Sequence, residues 1–180
     1  MLRLAKMVGH QVSTETVRSL RARLLDLQGS VSHVVQSSVV RSICNAWTTS
    51  GRFSGPRTPC PFGCGTPGGD KWSHFPVCPA IRRMWTEACP SCNILFFCQL
   101  TLELVLFVSP CLAPDVDVQI ALWTDVVGHC ANDARAMGSA PARVLAEGRG
   151  MMEARLRFLA VQGGCSRAVI QRIRVATENT

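Results

Sequence analysis

The sequence predicts a mainly α fold: a helical hairpin, a small loop-rich knuckle, and then a loosely packed helical region. Three observations lead there. Apolar residues recur at three- and four-residue spacing through most of the 180 residues, whereas two-residue alternation is confined to a short stretch at 58–66. Glycine and proline crowd together between residues 50 and 70, which breaks the helical pattern in one place. Aromatic residues are only 6% of the chain and tyrosine is absent, so few large side chains can anchor a dense core.

Taken in order, residues 14–28 read as an amphipathic helix. Val17, Leu20, Leu24 and Leu27 share one side, with Arg18, Arg21 and Arg23 on the surface. Ser13 or Thr14 is placed to cap its start, and Gly29-Ser30 ends it. A second helix is expected over Val31–Trp47, where many valines lose rotamer freedom. The two make a helical hairpin over residues 1–49. Residues 50–92 form the knuckle module. Its loop, 50–70, has too few apolar side chains to order itself by burial. A helix is expected from Trp72 to Cys89, with Phe75, Ile81, Met84 and Trp85 as its contacts.

The remaining region, 93–180, should be helical in four blocks. The first, 94–108, contains the apolar run Ile94–Val108. That run holds Gln99 and Glu103 and is closed by Pro110. A spanning helix needs about 20 apolar residues, and a central carboxylate costs about 2.5–3.5 kcal/mol, so a buried helix is expected and no membrane contact. The second block runs from Asp115 to Ala136, with Ile120, Trp123, Val127 and Cys130 or Ala131 facing inward. The third, Ala142–Ala160, sets Arg143, Arg149, Arg155 and Arg157 on one side. Val144, Leu145, Met152, Leu156 and Leu159 lie on the other, with Gly148 and Gly150 weakening the helix. A short helix over Ser166–Val175 closes the chain.

Charge is unevenly placed. Residues 1–85 carry eleven Lys and Arg against three acidic residues, whereas the rest carries eight against nine. The whole positive excess therefore lies in the half with the hairpin and the knuckle. A one-sided basic field attracts polyanions. Only Lys6 and Lys71 are lysines, so the field is mostly guanidinium, whose planar fork suits phosphate.

Ten cysteines could mean disulfides, but the opening residues lack the apolar run and cleavage site of a secretory leader. Their spacing fits an intracellular, metal-binding thiol protein better. The informative segment is Thr58-Pro-Cys60-Pro-Phe-Gly-Cys64-Gly followed by His74-Phe-Pro-Val-Cys78-Pro, a Cys-x3-Cys-x9-His-x3-Cys pattern. Zinc takes four tetrahedral sulfur and imidazole ligands. Two can come from a tight turn at Cys60 and Cys64, and two from one helix face, since His74 and Cys78 are four residues apart. Gly63 and Gly65 let the turn curl around the thiolates. The expected cofactor is therefore Zn2+, held by Cys60, Cys64, His74 and Cys78. Cys89-Pro-Ser-Cys92 reads first as a pair of ordinary buried thiols; otherwise it replaces one of those ligand pairs or serves a second metal with Cys98. Cys44, Cys111, Cys130 and Cys165 read as small core residues.

The run Arg41-Ser-Ile-Cys-Asn-Ala-Trp47-Thr-Thr-Ser-Gly-Arg-Phe53, with Cys60-Pro-Phe-Gly-Cys64 and His74-Phe-Pro-Val-Cys78-Pro79, resembles the region C-terminal to the reverse-transcriptase domain of non-LTR (LINE-like) retrotransposons. It looks most like the copies abundant in dinoflagellate genomes. Trp123 and Asn132–Arg135 are similar to a downstream helix of such elements. The resemblance is strong over residues 38–85 and weak elsewhere. It implies that the hairpin is thumb-like and leads into a CCHC zinc knuckle that binds template RNA or target DNA beside a polymerase, on a piece of a longer polyprotein.

Catalysis is not part of the expectation. No Asp-Asp pair of the reverse-transcriptase kind occurs. Pro114-Asp115-Val-Asp117 only faintly matches the endonuclease of some such elements, and no lysine follows Lys71. No Gly-Lys-Ser/Thr phosphate loop, His-Glu-x-x-His or Gly-x-Ser-x-Gly is present. The expected function is non-catalytic binding of RNA or DNA with weak sequence choice, inside the cell, and the resemblance implies the nucleus. Arg41, Arg52, Arg57, Lys71, Arg82 and Arg83 are the expected contacts. Trp72, Phe53 and Phe62 either stack on bases or pack around the metal. Two other readings stay open: a zinc-stapled protein-interaction module, and a degenerate retroelement remnant without selected function.

Overall fold

The computed structural model describes residues 2–53, 56–89, 100–109, 114–137 and 141–161. Seven α-helices and two 3₁₀ turns make up the regular structure of these residues, with no strand among them. The mainly α expectation holds, and the alternation at 58–66 forms no sheet. Among the described residues, no helix is long and apolar enough to cross a membrane.

The chain opens with α1 (Leu2–Val8), which the sequence reading did not anticipate. It then forms α2 (Thr14–Leu27), where the Ser13 hydroxyl caps the start by accepting from the Thr16 N–H at 3.1 Å. Helix α3 (His33–Ile43) is shorter than expected. Asn45 takes a left-handed φ of 48°, and the Ala46 N–H reaches back to the Arg41 carbonyl. A left-handed residue just past the last turn satisfies the end carbonyls and stops the helix, and asparagine tolerates that conformation.

The expected helix from Trp72 to Cys89 is two elements. A 3₁₀ turn, Trp72–Val77, contains Pro76, and α4 (Pro79–Ala88) follows with Cys78 extended between them. Proline disfavours helical geometry in the residue before it, so Pro79 pushes Cys78 out of the helix and then starts α4 at its first position. The block expected over 94–108 also differs. Its described part is a single turn, α5 (Leu102–Val105), begun by Thr101, whose hydroxyl accepts from the Leu104 N–H. Residues 94–99 and the short helix at Ser166–Val175 lie outside the described residues.

Helices α6 (Pro114–Ala136) and α7 (Pro141–Val161) complete the chain. Helix α6 is the axle of the molecule: α2, α3, α5 and α7 all pack against it, and α4 packs on α7. The predicted stripe of Ile120, Trp123, Val127, Cys130 and Ala131 is buried, but so is every residue from Ala121 to Gly128. Over this middle stretch the helix is enclosed on all sides and lacks the exposed polar face of a surface helix. The region expected to pack loosely is close-packed along this helix. Trp47 lies across Gly128, where a Cβ atom would meet the indole at 2.3 Å. One apolar core joins the hairpin, the knuckle and the C-terminal helices.

Three Arg–Asp pairs attach neighbours to α6. Arg23, expected on the surface, is buried and donates to both carboxylate oxygens of Asp117, at 2.8 and 2.5 Å. It also donates to the carbonyls of Phe107 and Ser109, which end the turn of α5. Arg155, expected on the basic face of α7, turns inward to Asp125 instead, at 2.7 and 3.0 Å. Asp125 is fully buried and also accepts from the Ser38 hydroxyl of α3 at 2.6 Å. Arg135 pairs with Asp70 of the knuckle loop at 2.6 Å. A buried carboxylate needs such a partner, because an unpaired charge in the core is strongly destabilising.

Candidate metal centre and basic cleft

The knuckle is built from its own local bonds. Between Cys60 and Cys64 the chain reverses through a turn closed by the Gly63 N–H and the Cys60 carbonyl at 3.0 Å. Gly63 and Gly65 have φ of 73° and 78°, a left-handed conformation that glycine adopts without steric cost. A second turn, Thr66–Gly69, leads to Asp70, whose N–H bonds to the Thr58 carbonyl and closes the loop. The following 3₁₀ turn points His74 back at the first turn, and Cys78 sits where that turn meets α4.

These segments bring Cys60, Cys64, His74 and Cys78 together. Their four ligand atoms all lie within 4.8 Å of one another, as a group that could hold a metal ion. The Sγ atoms of Cys60 and Cys78 are 3.7 Å apart, and Cys64 Sγ is 3.2 Å from His74 Nε2. The Thr66 hydroxyl lies 3.2 Å from Cys64 Sγ. His74 and Cys78 do converge as expected, but across a turn and a helix cap rather than on one helix face. Cys60, His74 and Cys78 are buried, and Cys64 is half-buried.

The two buried thiols behave as a pair. Their mutual hydrogen bond and burial push Cys60 well above the usual thiol range. The same hydrogen bond, with a further one from the Ile81 backbone, lowers Cys78 to about 5. A metal ion is bound by thiolate and not by thiol, so a cation between these two sulfurs would displace the thiol proton there. The Phe62 backbone also hydrogen-bonds to Cys60.

The other cysteines divide differently. Cys44, expected in the core, is exposed. Cys130 is buried, and that burial pushes its thiol up to about 12. Cys89 is buried at the end of α4, whereas Cys92, Cys98, Cys111 and Cys165 lie outside the described residues.

Two of the three expected stacking aromatics are interior. Trp72 stacks on Trp47 with centroids 5.6 Å apart, and meets Phe75 edge-on. Phe62 also meets Phe75 edge-on, and both are buried. They pack around the cluster, the alternative that the sequence left open. Only Phe53 stays accessible, at 54% exposure.

Of the six expected basic contacts, the structure gathers three. Arg52, Arg57 and Lys71 line one cleft of about 410 Å3 beside the knuckle, together with Asn45, Thr49 and Trp72. Lys6 of α1 joins them. Lys6 was not among the expected contacts, since α1 was not foreseen. No carboxylate lines the cleft, and among the described residues none of these four cations forms an ion pair. Arg41, Arg82 and Arg83 do not line it. Arg41 lies over the Trp47 ring at 5.8 Å. Arg83 is engaged by Glu87 at 2.9 Å.

Pro114-Asp115-Val116-Asp117 begins α6, and Asp117 is taken up by Arg23, so this segment serves helix initiation and packing. Compared with protein-family models, with curated proteins and with solved structures, the chain matches none.

Proposed function

We propose that this chain is a non-catalytic, zinc-stabilised module that binds nucleic acid through the cleft of Lys6, Arg52, Arg57 and Lys71. The carrying observation is that these four cations converge on a cleft lined by no carboxylate, beside the Cys/His cluster. On α4 and α7 some surface arginines are paired one helical turn away: Arg83 with Glu87, Arg143 with Glu147, and both Arg149 and Arg157 with Glu153. Uncompensated guanidinium and ammonium groups around a concave surface favour phosphate.

Zinc is the metal that the donor set favours. Three thiols and an imidazole are its preferred ligands in structural sites. For metal–sulfur bonds of about 2.3 Å, a tetrahedral edge is about 3.8 Å. The 3.7 Å between the Cys60 and Cys78 sulfurs is close to that length. Four protein ligands leave no position open for a reacting water, so the role is to hold the loop in shape. The same residues carry the resemblance to the region behind the reverse transcriptase of non-LTR retrotransposons, and binding of template or target strands is the function such a region would serve.

The test has two parts. Native mass spectrometry should find one zinc per chain, lost in Cys60→Ser and His74→Ala variants. Titration of a short oligonucleotide across a salt series should then show log affinity falling with log salt. Four neutralised phosphates give a slope of about −2.8 on a single strand or about −3.6 on a duplex. Salt-independent affinity, or none, would remove the nucleic-acid reading. A chain without metal would remove the zinc assignment.

A further inference from the structure

We infer that the basic cleft is one half of a site for an unpaired nucleotide, and that a second cleft, across the Thr48–Phe53 segment, receives its base. This rests on the nucleic-acid reading of the first cleft. The second cleft encloses about 500 Å3 and shares Thr49 with the first, so the two adjoin.

The halves differ in chemistry. The second is walled by Phe53, Pro59 and Pro61, with the hydroxyls of Thr48 and Thr58 at hand. Its charges, Asp70 and Arg135, are paired to each other. The space is therefore neutral and mainly apolar, suited to a base and not to a phosphate. Phe53 keeps an aromatic face in solvent, whereas Phe62, Trp72 and Phe75 are buried. The Thr58 hydroxyl donates to Asp70 at 3.2 Å, which leaves its oxygen able to accept from an N–H on the edge of a base. Arg52 and Phe53 are consecutive, and the guanidinium lies over one face of the ring, 5.3 Å from its centroid, so a base would stack on the opposite face. A phosphate-binding cation and a stacking ring thus stand next to each other, as the phosphate and base of one nucleotide do.

The arrangement selects single strands. In a duplex the bases are stacked and paired, so none can lie on Phe53 without being extruded. On a single strand the ring is available to any base, and such stacking is sequence-tolerant.

The experiment is fluorescence anisotropy with three labelled probes: a short oligothymidylate, an abasic deoxyribose-phosphate strand of equal length, and a duplex. Wild type should prefer the oligothymidylate to both others. Phe53→Ala should weaken it about five- to 150-fold, the effect of one lost stacking contact. The same variant should leave the abasic strand and the duplex unchanged, and Phe53→Trp should restore binding. Because Phe53 is exposed, these variants are expected to fold, which circular dichroism checks. If Phe53→Ala binds all three probes as wild type does, the base-binding half is wrong. The phosphate-binding half then stands provided that an Arg57→Ala/Lys71→Ala variant loses affinity. If wild type binds none of the probes, both readings fall.

Discussion

Asp70 and Arg135, 65 residues apart, form an ion pair that joins the knuckle loop to the last turn of α6, with Arg135 Nη2 2.6 Å from Asp70 Oδ1. The carboxylate divides its work. Oδ1 takes both contacts from Arg135, and Oδ2 accepts from the Ser50 N–H and the Thr58 hydroxyl. One buried side chain thereby ties together the segment before the knuckle, the knuckle itself and the central helix.

Removing Arg135 should therefore be costly. Arg135→Ala leaves the Asp70 carboxylate buried without its countercharge, a loss of about 3 kcal/mol. Arg135→Lys should recover only part, since an ammonium cannot reproduce two contacts from one planar fork. Urea denaturation of the metal-loaded protein measures both, and an unchanged midpoint in Arg135→Ala would contradict the role.

Metal loss should be felt throughout the chain. Cys60, Phe62, Trp72, Phe75 and Cys78 belong to the same apolar core as Ile120, Trp123 and Met152. Cys64→Ser, or chelation, should lower the thermal midpoint by roughly 10–20 °C if about 5 kcal/mol of metal-linked stability is lost. The transition seen by tryptophan fluorescence should move together with the helical signal at 222 nm. Melting of the knuckle alone, with the helical signal untouched, would count against this continuity.

Gly128→Ala should destabilise by about 1–3 kcal/mol through overpacking. The added methyl would meet the Trp47 ring at 2.3 Å. That ring cannot withdraw easily, because its Nε1 donates to the Ser42 hydroxyl at 2.7 Å and its face stacks on Trp72. The denaturation midpoint and the tryptophan emission should change together, and wild-type behaviour in both would refute the contact.

His129 should give the fold a pH dependence. Burial holds its imidazolium below the ordinary value of 6.5, aided by the charges of Arg155 and Arg41 and opposed by Asp125. The unfolded chain then binds more protons than the folded one between the two values. This contribution is fully present above pH 6.5 and is lost as pH falls below it. His129→Gln should flatten the melting temperature between about pH 7.5 and 5.5 relative to wild type. Parallel curves for the two proteins would exclude His129 as the source.

The sequence by itself determined the helical class, the extent of α2, α6 and α7 to within a residue or two, and the four members of the Cys/His cluster. Those signals are local: a repeat of three to four residues, a capping hydroxyl, and two pairs of ligands at short spacing around a glycine-rich loop. Tertiary structure alone decided which charges are spent inside and which remain outside. Arg23, Arg155 and Arg135 look like other arginines in the sequence, yet each is consumed by an aspartate 94, 30 or 65 residues away. Lys6, Arg52, Arg57 and Lys71 remain uncompensated because α1 and the knuckle meet around one cleft. Likewise Trp72 and Phe62 became core while Phe53 stayed in solvent. Pairing and burial depend on what the rest of the chain brings alongside, and that information is carried by contacts between residues far apart, not by spacing along the sequence.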